Sequence, residues 1–413
     1  MKTNPKFTRY FLWACLILSI GVFTIYCYPR VPKVTHDYGA YYKFSRALID
    51  GRNVGALYDS TALNDPHYSY GIQQTDVSYN LPTNAFTLLP FAWMDAYSAR
   101  IAWEIFSISG FIAAIIILLR IYKIPWQGNL GLGVLTLAFA WYPAYNNVTL
   151  GQLYMLLLFL FVLSLWGMTE KRIFLTSLPI AAALLLKGYG AIPLLWLLYH
   201  KRWREAAIVI STVIIVIAGT LPMLGVESWV TYYHEIFLKL GQMPTDSFVV
   251  YQAINNFMRH LFIYSKDWNP YPLMALPSNI IHALVIIINL LVVGIALIKT
   301  GGTNDSQKIS YAIAMAVGVV TSPLSFEYHY ILFLPLVIGL LAKLFSEDLH
   351  FQPSSSSIII LAAIVLMALP LHYADLQTAS PPLILLAYPK LYAGLIILFI
   401  AVTSRRLGTA PTR

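Results

Sequence analysis

Twelve apolar runs punctuate this chain, and they leave a lipid bilayer as the environment in which it can fold. Within a few residues at each end they fall at 10–28, 97–119, 128–145, 150–168, 173–186, 188–199, 206–224, 279–298, 309–321, 329–345, 357–372 and 385–403. A helix needs about 20 apolar residues to cross the hydrocarbon core. Of the 413 residues 58% are hydrophobic and only 11% charged, whereas a soluble chain carries roughly 25% charge. The expected fold is an all-α polytopic membrane protein, a single transmembrane domain over 1–413 with about twelve membrane helices. Runs 173–186 and 188–199 are short. Read as two helices turning at Lys187-Gly188-Tyr189-Gly190, they place the charged segments on either side of them on the same face.

The loop charges orient the chain. With the N-terminus inside, the inner loops hold 16 basic residues against five acidic, and everything else 11 against 13. That is the positive-inside pattern, with both termini cytoplasmic. It also accounts for the net charge of +9 without a nucleic-acid partner. Cys15 and Cys27 lie in the first run, about 18 Å apart along a helix, too far for a disulfide. That run is long for a signal peptide and no A-x-A site follows it, so an uncleaved span is expected. Polar material then collects outside, in loops 29–96 and 225–278, while Gln352-Pro353 with Ser354 to Ser357 reads as an inner linker.

Loop 29–96 opens with His36-Asp37-Tyr38-Gly39-Ala40-Tyr41-Tyr42. Tyr38, Tyr41, Tyr42, Ser45, Leu48 and Ile49 repeat at i, i+3, i+4, i+7, with Lys43, Arg46 and Asp50 opposite and Gly51 just past the end. This predicts an amphipathic helix lying in the membrane interface, with Asp37 in its first turn. Two readings of Asp37 stand: a helix N-cap or a general base.

Other residues invite chemistry. Glu327 and His329 precede a span entry, where Glu327 is either a solvated loop acid or part of a pocket, and His329 either an aromatic-belt residue or a phosphate partner. Lys187 interrupts an apolar stretch, so it either snorkels outward or meets an anion. Gly151-Gln152, following Asn146-Asn147, is either a helix cap or a hydrogen-bonding site for a hydroxylated ligand. There is no metal-spaced His/Cys set, no Gly-x-Ser-x-Gly, no phosphate-binding glycine loop and no Asp-x-Asp pair, which disfavours a nucleotide donor.

In order, these residues resemble glycosyltransferase family 87, of the GT-C superfamily. His36 to Tyr42 with Gly51 and Leu57-Tyr58-Asp59 is similar to the family's Asp-Phe-x-x-Tyr-Tyr helix and following Gly…Tyr-Asp. Tyr79-Asn80-Leu81-Pro82, Leu150-Gly151-Gln152, Leu185-Leu186-Lys187 with Pro193 and Trp203, and Thr321 to Tyr330 resemble its later motifs. Phe326, Glu327 and Tyr328 depart from its Trp, Asp and first His, and its Asn-Gln-Ser appears as Tyr251-Gln252-Ala253.

The resemblance implies a GT-C-type fold, with interfacial helices in both long outer loops, in a prokaryotic plasma membrane. It implies transfer of a sugar, mannose in the typical members, from a polyprenyl-phosphate donor to a glycolipid or glycan acceptor at the outer face, with inversion and without a metal or other cofactor. Asp37 and His329 would be catalytic, and His36, Tyr41, Tyr42, Gln152, Lys187, Gln252 and Glu327 substrate-binding. A transporter or flippase is the alternative from another class, kept open by Glu104 within an apolar run and by the Asn/Gln set. A polymerase or ligase of lipid-linked saccharides is another enzyme class with similar outer loops.

Overall fold

A computed structural model describes residues 5–59, 65–72, 79–298, 304–345 and 354–403. It is helical, with no strands among the described residues. Every predicted run carries a helix, but length and composition sort them. Five are long and apolar enough to cross a membrane: Lys6–Cys27, Ala96–Ile121, Trp203–Phe237, Ser278–Ile298 and Glu327–Leu344. Six others are shorter apolar helices of 10–17 residues.

Several boundaries differ from the sequence reading, each for a local reason. Run 128–145 breaks at Trp141 into helices Asn129–Ala140 and Tyr142–Leu150, so Asn146 and Asn147 are helical rather than loop. The helix expected at 206–224 runs on as Trp203–Thr231, bending where Gly225 takes φ +73°. Ser354 is not linker: its side chain accepts the Ser357 N–H and caps helix Ser355–Ala368. Gln352 and Pro353 lie outside the described residues. The short pair is as expected, with helices Ile173–Lys187 and Ala191–Tyr199 joined where Gly188 takes φ +72°.

The described chain forms two compact units, one of residues 1–23, 115–144 and 241–413, the other of 24–114 and 145–240. In the second unit the loop-opening helix spans His36–Ile49. Arg52 N–H bonds Ala47 O at 2.8 Å and Gly51 N–H bonds Leu48 O at 3.3 Å, with Gly51 at φ +64°, a Schellman ending that only glycine adopts without strain. The helix is not draped on a surface. It is buried nearly all round, and Lys43, expected on the polar face, has no exposed area. Its far end packs Phe44, Ala47 and Leu48 against Val54, Leu57 and Leu224.

Arg100 holds the near end. It was counted with the outer-loop charges but is fully buried in helix Ala96–Ile121. Its guanidinium donates to Lys33 O at 3.1 Å, to Val148 O at 2.6 Å and to the Glu104 carboxylate, 5.1 Å from the Tyr38 ring centre. Gly151 sits against the same spot: at φ +70°, an added Cβ would lie 2.7 Å from Tyr38 Cβ and 2.8 Å from Arg100 Cζ.

In the other unit the second long loop carries an amphipathic helix, Ile254–Phe262. Gln252 just before it is completely enclosed. Its amide donates to Val249 O and Ala387 O and accepts from Lys390 N–H, while its backbone bonds Ser325 O and the Tyr330 hydroxyl. Gln377 ties the 369–388 segment to that loop by accepting the Val249 N–H at 2.8 Å and donating to Trp268 O at 2.6 Å. His260 Nε2 lies 3.0 Å from Gln377 O. A carbonyl only accepts, so Nε2 carries the proton.

Two outcomes follow from these contacts. Gly151→Ala meets both a left-handed backbone and a steric clash, and should lower unfolding stability in detergent by about 2–4 kcal/mol; a wild-type melting point would refute the packing. Burial pushes the His260 imidazole down to about 4, so it folds neutral. The stability this contributes is present above the unfolded value of about 6.5 and lost as pH falls toward 4. Between pH 7 and 4 the wild type should lose up to about 3 kcal/mol relative to His260→Asn. Asp246, whose carboxyl burial pushes up to about 6, titrates in both proteins and cancels. Parallel unfolding curves would show His260 to be solvated.

Candidate active site

The loop helix needs a cap for its first N–H groups, and Thr35 supplies it. Its Oγ1 accepts the Tyr38 N–H at 3.4 Å and donates to Leu150 O at 2.7 Å. Asp37 is therefore not the N-cap. It is the second residue of the helix, where the dipole favours a carboxylate, and its charge acts on both Tyr41 and Lys187.

Tyr41 lies one turn along. Its hydroxyl donates to Gln152 Oε1 at 2.7 Å, both side chains being buried. Burial and the charge of Asp37 push the Tyr41 phenol well above its ordinary pKa, so it remains a proton donor. Lys187 Nζ stands 5.4 Å from the ring centres of both Tyr41 and Tyr154, a pair of faces that attract a cation.

Lys187 is the last residue of its helix, so the neighbouring carbonyls lack helical partners. Gly188 turns the chain away and bonds Leu184 O at 2.9 Å. The next two carbonyls are taken by the 82–86 turn: Thr83 Oγ1 donates to Leu185 O at 2.6 Å, and Asn84 Nδ2 to Leu186 O at 2.8 Å. The far end of the first long loop thus grips the helix end that presents Lys187. Tyr58 steadies that turn by donating to Asn80 O at 2.7 Å.

One carboxylate, one ammonium, two phenols and an amide therefore converge in this unit, from Asp37, Lys187, Tyr41, Tyr154 and Gln152. Such a set can take a proton from a hydroxyl and stabilise an anion beside it. His36 is exposed in the first turn of the helix. Tyr42 points elsewhere, its hydroxyl donating to Met94 O at 2.7 Å and its ring stacking on Tyr38.

The remaining predicted residues belong to the other unit. Glu327 is buried, not a solvated loop acid, and pairs with Lys390 Nζ at 2.8 Å. Tyr373 hydrogen-bonds the same carboxylate. Lys390 also donates to Leu366 O, Met367 O and Leu369 O, closing the end of helix Ser355–Ala368. His329 is buried too, its Nδ1 3.1 Å from Ser325 Oγ and its ring beside Tyr328 at 4.7 Å between centres. Gln252 has its amide committed to protein groups, which makes it a brace for the Ser325–Tyr330 segment.

Sequence reasoning missed Arg100, Thr83, Asn84, Tyr154 and Lys390. Lys390 gave the same signal as Lys187, a lone charge inside a predicted apolar run. Arg100 also lies inside a predicted run, beside Glu104, while Thr83, Asn84 and Tyr154 gave no signal, because each acts through a partner distant in the chain.

No curated protein and no solved structure matches this chain. The model of glycosyltransferase family 87 matches residues 80–323, a stretch that includes Thr83, Gln152, Lys187 and Gln252 and stops short of Asp37, Glu327 and His329. That match takes in more than half of the chain, which therefore belongs to glycosyltransferase family 87 and is a membrane glycosyltransferase.

Proposed function

We propose that this enzyme transfers a sugar, mannose, from a polyprenyl-phosphate donor to a glycolipid or glycan acceptor at the outer face of the plasma membrane, inverting the anomeric carbon. The observation that carries the reading is the meeting of Asp37 with Lys187 around Tyr41. Asp37 removes the proton from the acceptor hydroxyl as its oxygen attacks the anomeric carbon. The bond from that carbon to the phosphate oxygen breaks on the opposite side, and polyprenyl monophosphate departs with the electron pair.

Lys187 takes the developing charge on the phosphate, and the Tyr41 phenol and Gln152 amide orient the substrates. Lys187 supplies this charge as a compact cation, and the reading assigns no metal. His36, at the exposed first turn, is assigned to substrate contact. For Glu327, His329, Gln252 and Tyr42 the assignment rests on the resemblance; the committed amide of Gln252 and hydroxyl of Tyr42 favour bracing roles. The loop charges support cytoplasmic termini and an outer-face site. The transport alternative loses one of its features, since Glu104 is committed to Arg100.

The test is purified protein given radiolabelled polyprenyl-phosphate-mannose and membrane lipid extract, without any gradient. The wild type should consume donor; failure to do so overturns the donor. Asp37→Asn should keep donor binding and lose about 100-fold or more of the transfer rate, while near-normal turnover would remove Asp37 as base. Lys187→Met should lose about 100-fold with the acceptor affinity kept. His329→Asn is the separate test of the resemblance: unchanged transfer would take His329 out of the machinery.

A further inference from the structure

At the opposite end of the loop helix, about 20 Å from Asp37 along its axis, lies a second polar cluster that the reaction above does not use. Arg52 follows the Schellman turn that fixes its backbone. Its guanidinium carbon stands 5.8 Å from the Tyr68 ring centre and 5.3 Å from that of Tyr70. Tyr68 is itself placed by its hydroxyl, which donates to Asn53 O at 3.2 Å.

Two polar atoms here are buried without a hydrogen-bond partner, Arg52 Nη1 and the Tyr70 hydroxyl. Leaving such groups unpaired costs about 1–3 kcal/mol each, more for a charge, so each calls for an explanation. Tyr70 adds a second cost: its φ of +47° is a left-handed conformation that a bulky non-glycine residue rarely adopts. Backbone strain of this kind collects where a ligand or a mechanism requires it.

The chemistry of the two atoms selects the occupant. Burial pushes the Tyr70 phenol up to about 12, so both groups are donors at neutral pH. The neighbouring Arg46 is already paired with Asp50 at 3.3 Å, which leaves the positive charge of Arg52 as the local excess. A donor pair with one net positive charge fits an acceptor-only anion, and a guanidinium suits oxyanions in particular.

We propose that Arg52 and Tyr70 form a second anion site, which binds a phosphate group such as that of a lipid headgroup. The site stands apart from the donor reading, because none of its residues belongs to the Asp37–Lys187 set.

The test is thermal unfolding of the full-length protein in maltoside micelles at constant ionic strength. Three probes are titrated: dioctanoyl phosphatidic acid, inorganic phosphate, and dioctanoyl phosphatidylcholine as the zwitterionic control. Phosphatidic acid should raise the midpoint in the wild type and equally in Lys187→Met. In Arg52→Gln the apparent affinity should weaken tenfold or more. Tyr70→Phe keeps the ring, removes one donor and should weaken it several-fold while raising the unliganded midpoint, because the unpaired buried hydroxyl is gone. An equal response to inorganic phosphate identifies a free oxyanion as the occupant, and a response to phosphatidic acid alone identifies a headgroup. The proposal is overturned if no probe shifts the wild type, if Arg52→Gln responds like the wild type, or if the response disappears in Lys187→Met and survives in Arg52→Gln.

Discussion

One buried guanidinium organises the unit that holds Asp37 and Lys187. Arg100 is fully enclosed near the start of helix Ala96–Ile121, where an uncompensated charge is costly, and the chain answers with four partners drawn from four places. Lys33 precedes the loop helix, Tyr38 lies in its first turn, Val148 precedes the Gly-Gln turn, and Glu104 is one turn along the helix of Arg100 itself. None of these segments is adjacent to another in the chain except the first two. Breaking a buried pair of this kind by removing one partner leaves the other charge exposed to a low dielectric, which is far more damaging than never having built the pair. Asp37 and Gln152 therefore owe their mutual placement to a residue that has no part in the proposed chemistry.

The residues that mark the family divide by what they do. Tyr41, Gln152 and Lys187 present polar atoms to one another. Gln252 and Tyr42 spend theirs on backbone carbonyls of the protein. Gly151 contributes by lacking a side chain, since any Cβ there would strike Tyr38. A motif in an enzyme of this kind thus records the scaffold as faithfully as the site, and chemistry can be assigned only after the hydrogen bonds are counted.

Much of the architecture was legible in the sequence because it depends on short-range rules. Hydropathy located a helix at every run, Gly51 and Gly188 marked helix ends, and the two-helix turn at Lys187 followed from charges flanking a stretch too long for one short helix. Three things were not legible. Which of the two readings of Asp37 held could not be told, because Asp is a good cap, yet Thr35 lies two residues earlier and has Leu150 O as a second partner. Lys43 looked solvated because periodicity distinguishes the faces of a helix but not whether the second face is covered as well. Arg100 and Lys390 stood out as charges inside predicted apolar runs, but their compensating carbonyls lie far off in the chain, so their partners could not be read. Long-range polar pairing is the common element, and periodicity carries no trace of it.

The grip of Thr83 and Asn84 on the carbonyls before Lys187 has a consequence for how such an enzyme diverges. The first long loop is fastened at both ends: Thr35 holds Leu150 O at its start, and Thr83 and Asn84 hold Leu185 O and Leu186 O at its close. Exchange of Thr35, Thr83 or Asn84 removes one of these fastenings, so divergence in this loop is constrained first at those three side chains.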